Sequence, residues 1–320
     1  MKKLLFLLAI MILIFSLTAC GQPVTNLSTT KVGLLLPDTV NEPIWGSKGY
    51  KGLLTIQSTL KADVVYKEGM KTKSAVKEAL DEFEAEGVNL VFGHGEEYGP
   101  FFEQLHNDYP DMDFVYFNGS FTADNVTSIK FESHAMGFFG GMIAAKMSKT
   151  KHIGVIAAFN WQPEIEGFIK GAKYQDPSVT VDVQYTKSWG NKDKALSSYN
   201  EMEDAGVDVF YPAGDAFNLP VIEAIKEDGH YAIGYISDQS DLGESTVLTS
   251  TIQHVEKLYK LVANEYIIGK LEHGVKTYDF QDGVISLGKF SSEVPADFKI
   301  EVNKAVELYK LTGELPVKNK

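Results

Sequence analysis

Short apolar runs alternate with amphipathic segments along most of the chain, which is typical of a parallel α/β sheet. The clearest amphipathic segment runs from Lys73 to Glu86 and is followed by Gly87, a residue that commonly ends helices. Its apolar stripe consists of Val76, Ala79, Leu80 and Phe83. The predicted strands are Val32–Leu36, Val64–Tyr66, Val88–Phe92, Phe114–Phe117, Ile153–Ala157, Val181–Tyr185, Val207–Tyr211, Ala232–Ile236 and Val247–Thr249.

Two parts of the chain resemble each other at a constant offset of 119 residues. Residues 87–92 (GVNLVF) align with residues 206–211 (GVDVFY), and residues 114–117 (FVYF) align with 233–236 (IGYI). The similarity covers a strand, a turn, a helix and the next strand, so it is more than a single matching motif. It predicts an α/β protein with two Rossmann-like lobes of similar construction.

Composition and charge narrow the class of protein. The chain has 320 residues, of which 44% are hydrophobic and 23% are charged, as expected for a globular protein of about two domains. The formal net charge is −13, and it becomes −15 when Lys2 and Lys3 are removed with a signal peptide. Because such a surface repels phosphate backbones, no direct nucleic-acid partner is expected.

The N-terminus has the pattern of a bacterial lipoprotein signal. Lys2 and Lys3 precede an apolar run that is too short to span a bilayer, and Leu17-Thr18-Ala19-Cys20 follows it. The pattern predicts a signal peptide over residues 1–19, a linker over 20–30, and a lipid on Cys20, the only cysteine. The protein is then expected on the extracytoplasmic face of the cell membrane, without disulfides. An ordinary signal peptide with an incidental cysteine is the alternative.

Enzyme signatures are missing from the sequence. The seven histidines show no H-E-x-x-H spacing, and there is no G-x-S-x-G motif. The turn Gly93-His94-Gly95 opens like a phosphate-binding loop, but the later glycine and lysine of that motif are missing. The prediction is a protein that is not an enzyme and has no cofactor or metal site.

Open parallel sheets bind ligands at the carboxyl ends of their strands, so the turns after the predicted strands are the expected site. In the first lobe these turns contain Pro37-Asp38, Gly93-His94-Gly95 and Asn118-Gly119, and in the second Phe159-Asn160-Trp161, Pro212-Ala213-Gly214-Asp215 and Ser237-Asp238-Gln239. Carboxylates, amides and aromatic rings with few cations favour a neutral ligand that has a flat ring and hydroxyls.

The chain resembles the basic membrane protein family of PnrA-like, nucleoside-binding lipoproteins from about Val32 to Leu287. The most family-like stretches are residues 125–129 leading to 140–148, and residues 236–239 leading to 248–250. The resemblance implies a type I periplasmic-binding-protein-like fold with three hinge crossovers, near residues 122–131, 237–249 and 278–287. The implied lobes are 31–127 plus 246–283, and 128–245 plus 284–320.

The same resemblance implies a function. The protein would bind a nucleoside between its lobes and pass it to an ABC-type permease and ATPase. The alternative is a positive regulator of competence and transcription, a role described for one member of this family, acting directly or indirectly with a sensory or degenerate ligand site.

The predicted ligand site combines this resemblance with the turn residues: Asp38, Trp45, Gly46, His94, Asn118, Trp161, Gly214, Asp238 and Gln253. The family implies an aromatic clamp on the base and acidic contacts to the ribose. Trp45 lies near the family's stacking aromatic, and Trp161 is a candidate for the opposite wall. Packing of Trp45 on the sheet and helix capping by Asp38 are the alternatives.

Four positions depart from the family pattern. Gly46 stands where asparagine is usual, Asn118 replaces an acid, and Gln253 replaces a lysine. Glu164 stands near the position of a further aromatic residue. These changes keep the pocket neutral, change its ligand or end ligand binding, and the sequence leaves all three outcomes open.

Overall fold

The structure is a computed structural model, which describes residues 30–41 and 45–317. The predicted signal peptide, Cys20 and nearly all of the linker lie outside these residues. The strands are β1 Lys31–Leu35, β2 Asp63–Lys67, β3 Leu90–Gly93, β4 Asp113–Phe117, β5 Val126–Phe131, β6 His152–Ala157, β7 Thr180–Tyr185, β8 Val209–Ala213, β9 Tyr231–Ile236, β10 Val247–Gln253, β11 Gly274–Tyr278 and β12 Ile285–Leu287.

The helices lie between most of these strands. They are α1 Trp45–Leu60, α2 Lys73–Ala85, α3 Tyr98–Leu105, α4 His134–Met147, α5 Pro163–Gln175, α6 Lys192–Asp204, α7 Asn218–Glu227, α8 Val255–Ile267 and α9 Ala296–Thr312. Within the described ranges, none of them combines the length and the apolar character that a membrane crossing requires.

The strands form two six-stranded sheets with the same order. The first sheet reads β2-β1-β3-β4-β5-β11, and the second reads β7-β6-β8-β9-β10-β12. The neighbouring strands pair in parallel, except that β12 runs antiparallel to β10, whereas its counterpart β11 runs parallel to β5. The prediction of an α/β protein with two lobes of similar construction is confirmed.

The sequence patterns translate directly into local structure. Helix α2 buries the four residues of its predicted stripe, its N-cap Thr72 accepts a hydrogen bond from the Ala75 backbone N–H, and Gly87 follows with φ of 76°. Shifted by 119 residues, α2 coincides with α6, and the start of β3 coincides with the start of β8. The internal repeat therefore reflects equivalent βα units of the two sheets.

The chain passes between the lobes three times: between β5 and α4, between β10 and α8, and between β11 and β12. The observed boundaries differ from the predicted ones. Strand β5 pairs with β11 in the first sheet as far as Phe131, beyond the predicted boundary at residue 127. Strand β10, predicted in lobe 1, pairs with β9 in the second sheet, so the second crossover follows Gln253 instead of falling within 237–249. The backbone hydrogen bonds of the β9–β10 ladder fix this boundary, and no composition signal marks it.

Helix α4 lies at the centre of the second lobe and is buried along almost its whole length. Residues 135–145 are all buried, between the second sheet and helix α5. The two helices approach unusually closely, because a Cβ atom built on Gly141 would lie 2.0 Å from the carbonyl oxygen of Phe168. At the start of α5, which borders the cleft between the lobes, the approach is equally close: a Cβ atom built on Gly137 would lie 1.9 Å from the carbonyl oxygen of Glu164.

Candidate functional site

A cavity of about 920 Å³ lies between the two lobes, at the carboxyl ends of both sheets. This is where ligands bind in open α/β sheets, and the volume is in the range that holds a small molecule. The lining residues are Trp45, Gly95, Glu96, Glu97, Gly99, Pro100, Glu103, Tyr116, Asn118, Gly119, Ser120, Phe121, Lys130, Phe131, Ser133, Trp161, Gln162, Pro163, Glu164, Trp189, Asp215, Tyr235, Ile236 and Gln253. Both lobes contribute, so a molecule bound here would contact both.

All three tryptophans of the chain line this cleft. Trp45 belongs to the first lobe, and its indole stacks on the His94 ring with centroids 4.4 Å apart. Trp161 and Trp189 belong to the second lobe, and their rings meet edge to face at 5.8 Å. Trp161 also stacks on Phe159 and remains 50% exposed. Aromatic surfaces therefore face the cleft from two lobes, as an aromatic clamp requires.

His94 supports the clamp from beneath instead of lining the cleft. It is fully buried, with Nε2 2.7 Å from the Trp45 carbonyl oxygen and Nδ1 2.9 Å from the Tyr259 hydroxyl. The Trp45 indole N–H donates to the carbonyl oxygen of His94. Burial lowers the pKa of His94 to about 4, because the imidazolium would lose its hydration. The ring is therefore neutral at physiological pH and holds Trp45 in place.

Asn118 and Gln253 line the cleft, as predicted residues of the site. Asn118 has φ of 60°, and Ile236 at the end of the equivalent strand β9 has φ of 63°. A β-branched residue rarely adopts this left-handed conformation, which costs of the order of 1–3 kcal/mol. Such strain is concentrated at functional sites, so its position at the cleft supports the assignment.

A hydrogen bond joins the two lobes beside the cleft. The Lys48 ammonium group, on α1, donates to the carbonyl oxygen of Gln253 at the end of β10. Burial lowers the pKa of Lys48, and the charges of Glu256 and Asp215 partly oppose that shift. Lys48 therefore places a cation next to position 253, where the family resemblance implies a lysine and this chain has glutamine.

Besides His94, four predicted residues do not line the cleft. Asp38 is exposed and pairs with Lys71 at 2.5 Å. Asp238 accepts the backbone N–H groups of Ser240 and Lys289, which hold its carboxylate against the loop. Gly46 is buried inside α1, and Gly214 is covered by the ring of Phe217. Asp38 and Asp238, the two acids expected to contact the ribose, therefore bind other groups of the protein and do not line the cavity.

A buried polar network that the sequence interpretation missed lies in the second lobe and centres on Glu164. Its Oε1 accepts hydrogen bonds from the Gln162 side-chain amide and the Tyr235 hydroxyl, both at 2.9 Å. Its Oε2 accepts the Ser133 hydroxyl at 2.6 Å. Burial and the nearby Glu164 charge raise the pKa of Tyr235 well above its usual value, so Tyr235 stays a donor. The sequence does contain one signal for this position: proline followed by an acidic residue is typical of the first turn of a helix, and Pro163-Glu164 places the carboxylate there.

The lining is strongly acidic. Among the residues that the structure describes, its carboxylates are Glu96, Glu97, Glu103, Glu164 and Asp215, and its one basic residue is Lys130. Desolvation raises the pKa of Glu97, and the charges of Glu96 and Asp38 add to that shift. The structure places both Glu96 and Glu97 at the cleft.

Comparisons with known proteins identify relatives over nearly the whole chain. A family model, Bmp, described as ABC transporter substrate-binding protein PnrA-like, matches residues 29–319. The transcriptional activator protein Med of Bacillus subtilis (strain 168) is 52% identical over 310 residues, which cover 96% of this chain and 98% of that protein.

Solved structures share the fold. The crystal structure of a transcriptional activator of the comK gene from Bacillus halodurans is 50% identical, with a TM-score of 0.85, over 90% of this chain and 100% of that one. A solute-binding protein of an ABC transporter system from Aeropyrum pernix K1 is 19% identical, with a TM-score of 0.70, over 91% and 82% of the two chains. The second likeness concerns the fold alone, and it agrees with the predicted periplasmic-binding-protein-like architecture.

Proposed function

The chain belongs to the Bmp family of PnrA-like ABC transporter substrate-binding proteins, and from this premise we propose that it captures a nucleoside-like solute between its lobes. The observation that carries the proposal is the interlobe cavity, which receives all three tryptophans of the chain. The captured solute would pass to an ABC-type permease and ATPase. In this proposal the protein binds its ligand without chemical change.

Binding would close the two lobes on the ligand. Because the three crossovers are short relative to the lobes, a few backbone rotations there allow a hinge motion. A ligand favours the closed state only if it contacts both lobes at once. Trp45 and Asn118 in the first lobe, with Trp161 and Gln253 in the second, provide such contacts.

A nucleoside would use the aromatic and polar parts of the cleft differently. Its base would stack on Trp45 or Trp161, and each such stack is worth roughly 1–3 kcal/mol. Its hydroxyls would contact Asn118, Asp215 and Gln253, since Asp38 and Asp238 lie outside the lining. This assignment replaces the ribose contacts that the family resemblance implies.

Nucleoside binding is expected to stabilise the fold measurably. A nucleoside at ten times its Kd adds about 1.4 kcal/mol to the free energy of unfolding, because it binds only the native state. Thermal shift against a nucleoside panel, with extraction of any copurified ligand, measures this effect. Trp45→Ala should weaken binding about tenfold or more by loss of stacking, whereas Trp45→Phe should retain most of the affinity. If no nucleoside changes the melting temperature and none is extracted, the proposed ligand class is wrong.

Lipid anchoring is a further part of the proposal and rests on the sequence around Cys20. Wild-type protein should incorporate radiolabelled palmitate and fractionate with membranes, and Cys20→Ala should lose the label completely. Two acyl chains give stable anchoring, where one chain is marginal. An unlabelled wild-type protein would exclude the lipoprotein assignment.

A regulatory role is the second candidate, because two relatives of about 50% identity are named as transcriptional activators. In that case the cleft would sense a ligand and the effect on transcription would be direct or indirect. The net charge of −13 disfavours direct contact with DNA. Reporter expression in cells that produce only Cys20→Ala separates the two routes, since direct action on DNA does not need the anchor.

A further inference from the structure

We propose that the ligand of the cleft carries a positive charge on a flat ring, and that Glu164 is the buried counter-ion for this charge. The inference rests on the proposed solute-binding function and names the chemical class of the solute. Three features of the cleft support it: the surroundings of Glu164, the aromatic surfaces, and the balance of charges in the lining.

Glu164 is a buried carboxylate whose partners are neutral. It is only 3% exposed, and its hydrogen bonds come from Ser133, Gln162 and Tyr235. It also lies in the first turn of α5, where the helix dipole favours negative charge. Within the described residues, no lysine or histidine lies within 4.0 Å of its carboxylate.

A buried carboxylate of this kind is normally paired with a cation. Neutral donors and the helix start hold the negative charge in position, but they do not cancel it. Because Glu164 lines the cleft, a ligand can bring the missing positive charge to it. The network around Glu164 keeps the carboxylate ordered before the ligand arrives, which lowers the cost of binding.

The tryptophans recognise a cation as well as a flat ring. A cation over the face of an indole gains about 0.5–2 kcal/mol, and more when the site excludes water. Trp45 approaches the cleft from one lobe, and Trp161 and Trp189 approach it from the other. A charged flat ring would therefore gain both stacking and cation–π attraction, whereas a neutral ring would gain stacking only.

The remaining charges of the lining disfavour an anionic ligand. Lys130 stands against five lining carboxylates, and a second lysine beside the cleft, Lys48, is engaged by the Gln253 carbonyl oxygen and faces Asp215 and Glu256. The whole sequence contains 30 lysines and no arginine, so the bidentate fork that usually holds phosphate or carboxylate is missing. The field of the cleft attracts cations and repels phosphorylated ligands.

Two matched pairs of probes test the charge requirement at neutral pH. Adenosine and 1-methyladenosine share the ribose, but the methylated base is positively charged. Quinoline and N-methylquinolinium form the same comparison without a sugar. Calorimetric titration of the full-length wild type should give at least tenfold tighter binding for the charged member of a pair.

Glu164→Gln tests the counter-ion, because it removes the charge and retains the shape of the side chain. It should weaken binding of the charged probe at least tenfold and leave the neutral probe within about threefold. Glu166→Gln is the matched control: it removes one charge from the same helix, but Glu166 is exposed and pairs with Lys170 at 2.6 Å. The control should bind both probes as the wild type does.

The outcomes separate this inference from the proposed function. Equal or better binding of adenosine by the wild type, or a charge preference that Glu164→Gln does not reduce, would overturn the inference and leave solute binding intact. Binding of N-methylquinolinium alone would support the charge and reject the nucleoside. If no probe binds and no ligand is extracted, solute binding fails and the inference fails with it. If Glu164→Gln does not fold, the matched probe pairs on the wild type decide, and equal binding of the charged and neutral members overturns the inference.

Discussion

Gly141→Ala is expected to destabilise the protein by more than about 3 kcal/mol, although alanine is the better helix former. A Cβ atom at this position would lie 2.0 Å from the carbonyl oxygen of Phe168 and 2.9 Å from the backbone nitrogen of Ala172. Both atoms belong to the backbone of α5, so no side-chain rotation can relieve the contact. The two helices would have to move apart.

Separation of the helices would disturb the core and the cleft together. The close approach of α4 and α5 is reciprocal, since a Cβ atom on Gly171 would lie 1.8 Å from the carbonyl oxygen of Phe138. A Cβ atom on Gly137 would lie 1.9 Å from the carbonyl oxygen of Glu164 itself. Even the smallest side chain at this interface therefore shifts the start of α5 and the carboxylate that lines the cleft.

Gly140→Ala is the matched control, one residue away on the same helix. A Cβ atom there would meet its nearest neighbour, a methyl group of Ile233, at 3.4 Å, which is an ordinary contact. We expect unchanged stability or a gain of up to about 1 kcal/mol from helix propensity. Urea unfolding followed by circular dichroism measures both variants. Similar free energies of unfolding for Gly140→Ala and Gly141→Ala would contradict the role assigned to this helix contact.

Much of the fold could be predicted from the sequence because local patterns determine it. The apolar stripe of α2 matches its buried residues, and the offset of 119 residues corresponds to equivalent units of two sheets. The lobe boundary at β10 could not be predicted in this way. Strand β10 (VLTSTIQ) mixes apolar and polar residues, and only its backbone pairing with β9 shows which sheet receives it.

The candidate site was less predictable, because it depends on where each side chain points after its strand ends. Asp38 and Asp238 follow strands as Asn118 does, yet a lysine and two backbone N–H groups hold these acids outside the lining. Glu164 follows its strand by seven residues and reaches the cleft because α5 begins there. Position relative to a strand end predicts nearness to the cleft, but not orientation toward it.

The buried imidazole of His94 should make stability depend on pH between about 4 and 6.5. Its pKa in the folded protein is about 4, against 6.5 as the ordinary value, so the unfolded chain binds the proton more tightly. Stability is therefore fully present above pH 6.5 and decreases as the pH falls toward 4. The complete effect of this one group is about 3 kcal/mol, of which about 2 kcal/mol is lost by pH 5.

Urea unfolding of the wild type and His94→Gln at pH 7.5 and pH 5 isolates this contribution. The variant should be less stable at pH 7.5, because Trp45 and Tyr259 lose their hydrogen-bonding partner, but it should lose about 2 kcal/mol less than the wild type on acidification. His230→Gln removes an imidazole outside this stack and should retain the wild-type difference. If the wild type and His94→Gln lose the same free energy of unfolding between pH 7.5 and pH 5, a charged His94 is tolerated beneath Trp45. In the folded protein the ring stays neutral until the pH approaches 4, so its support of Trp45, and with it ligand affinity, should be lost only near that pH, below the interval in which stability falls.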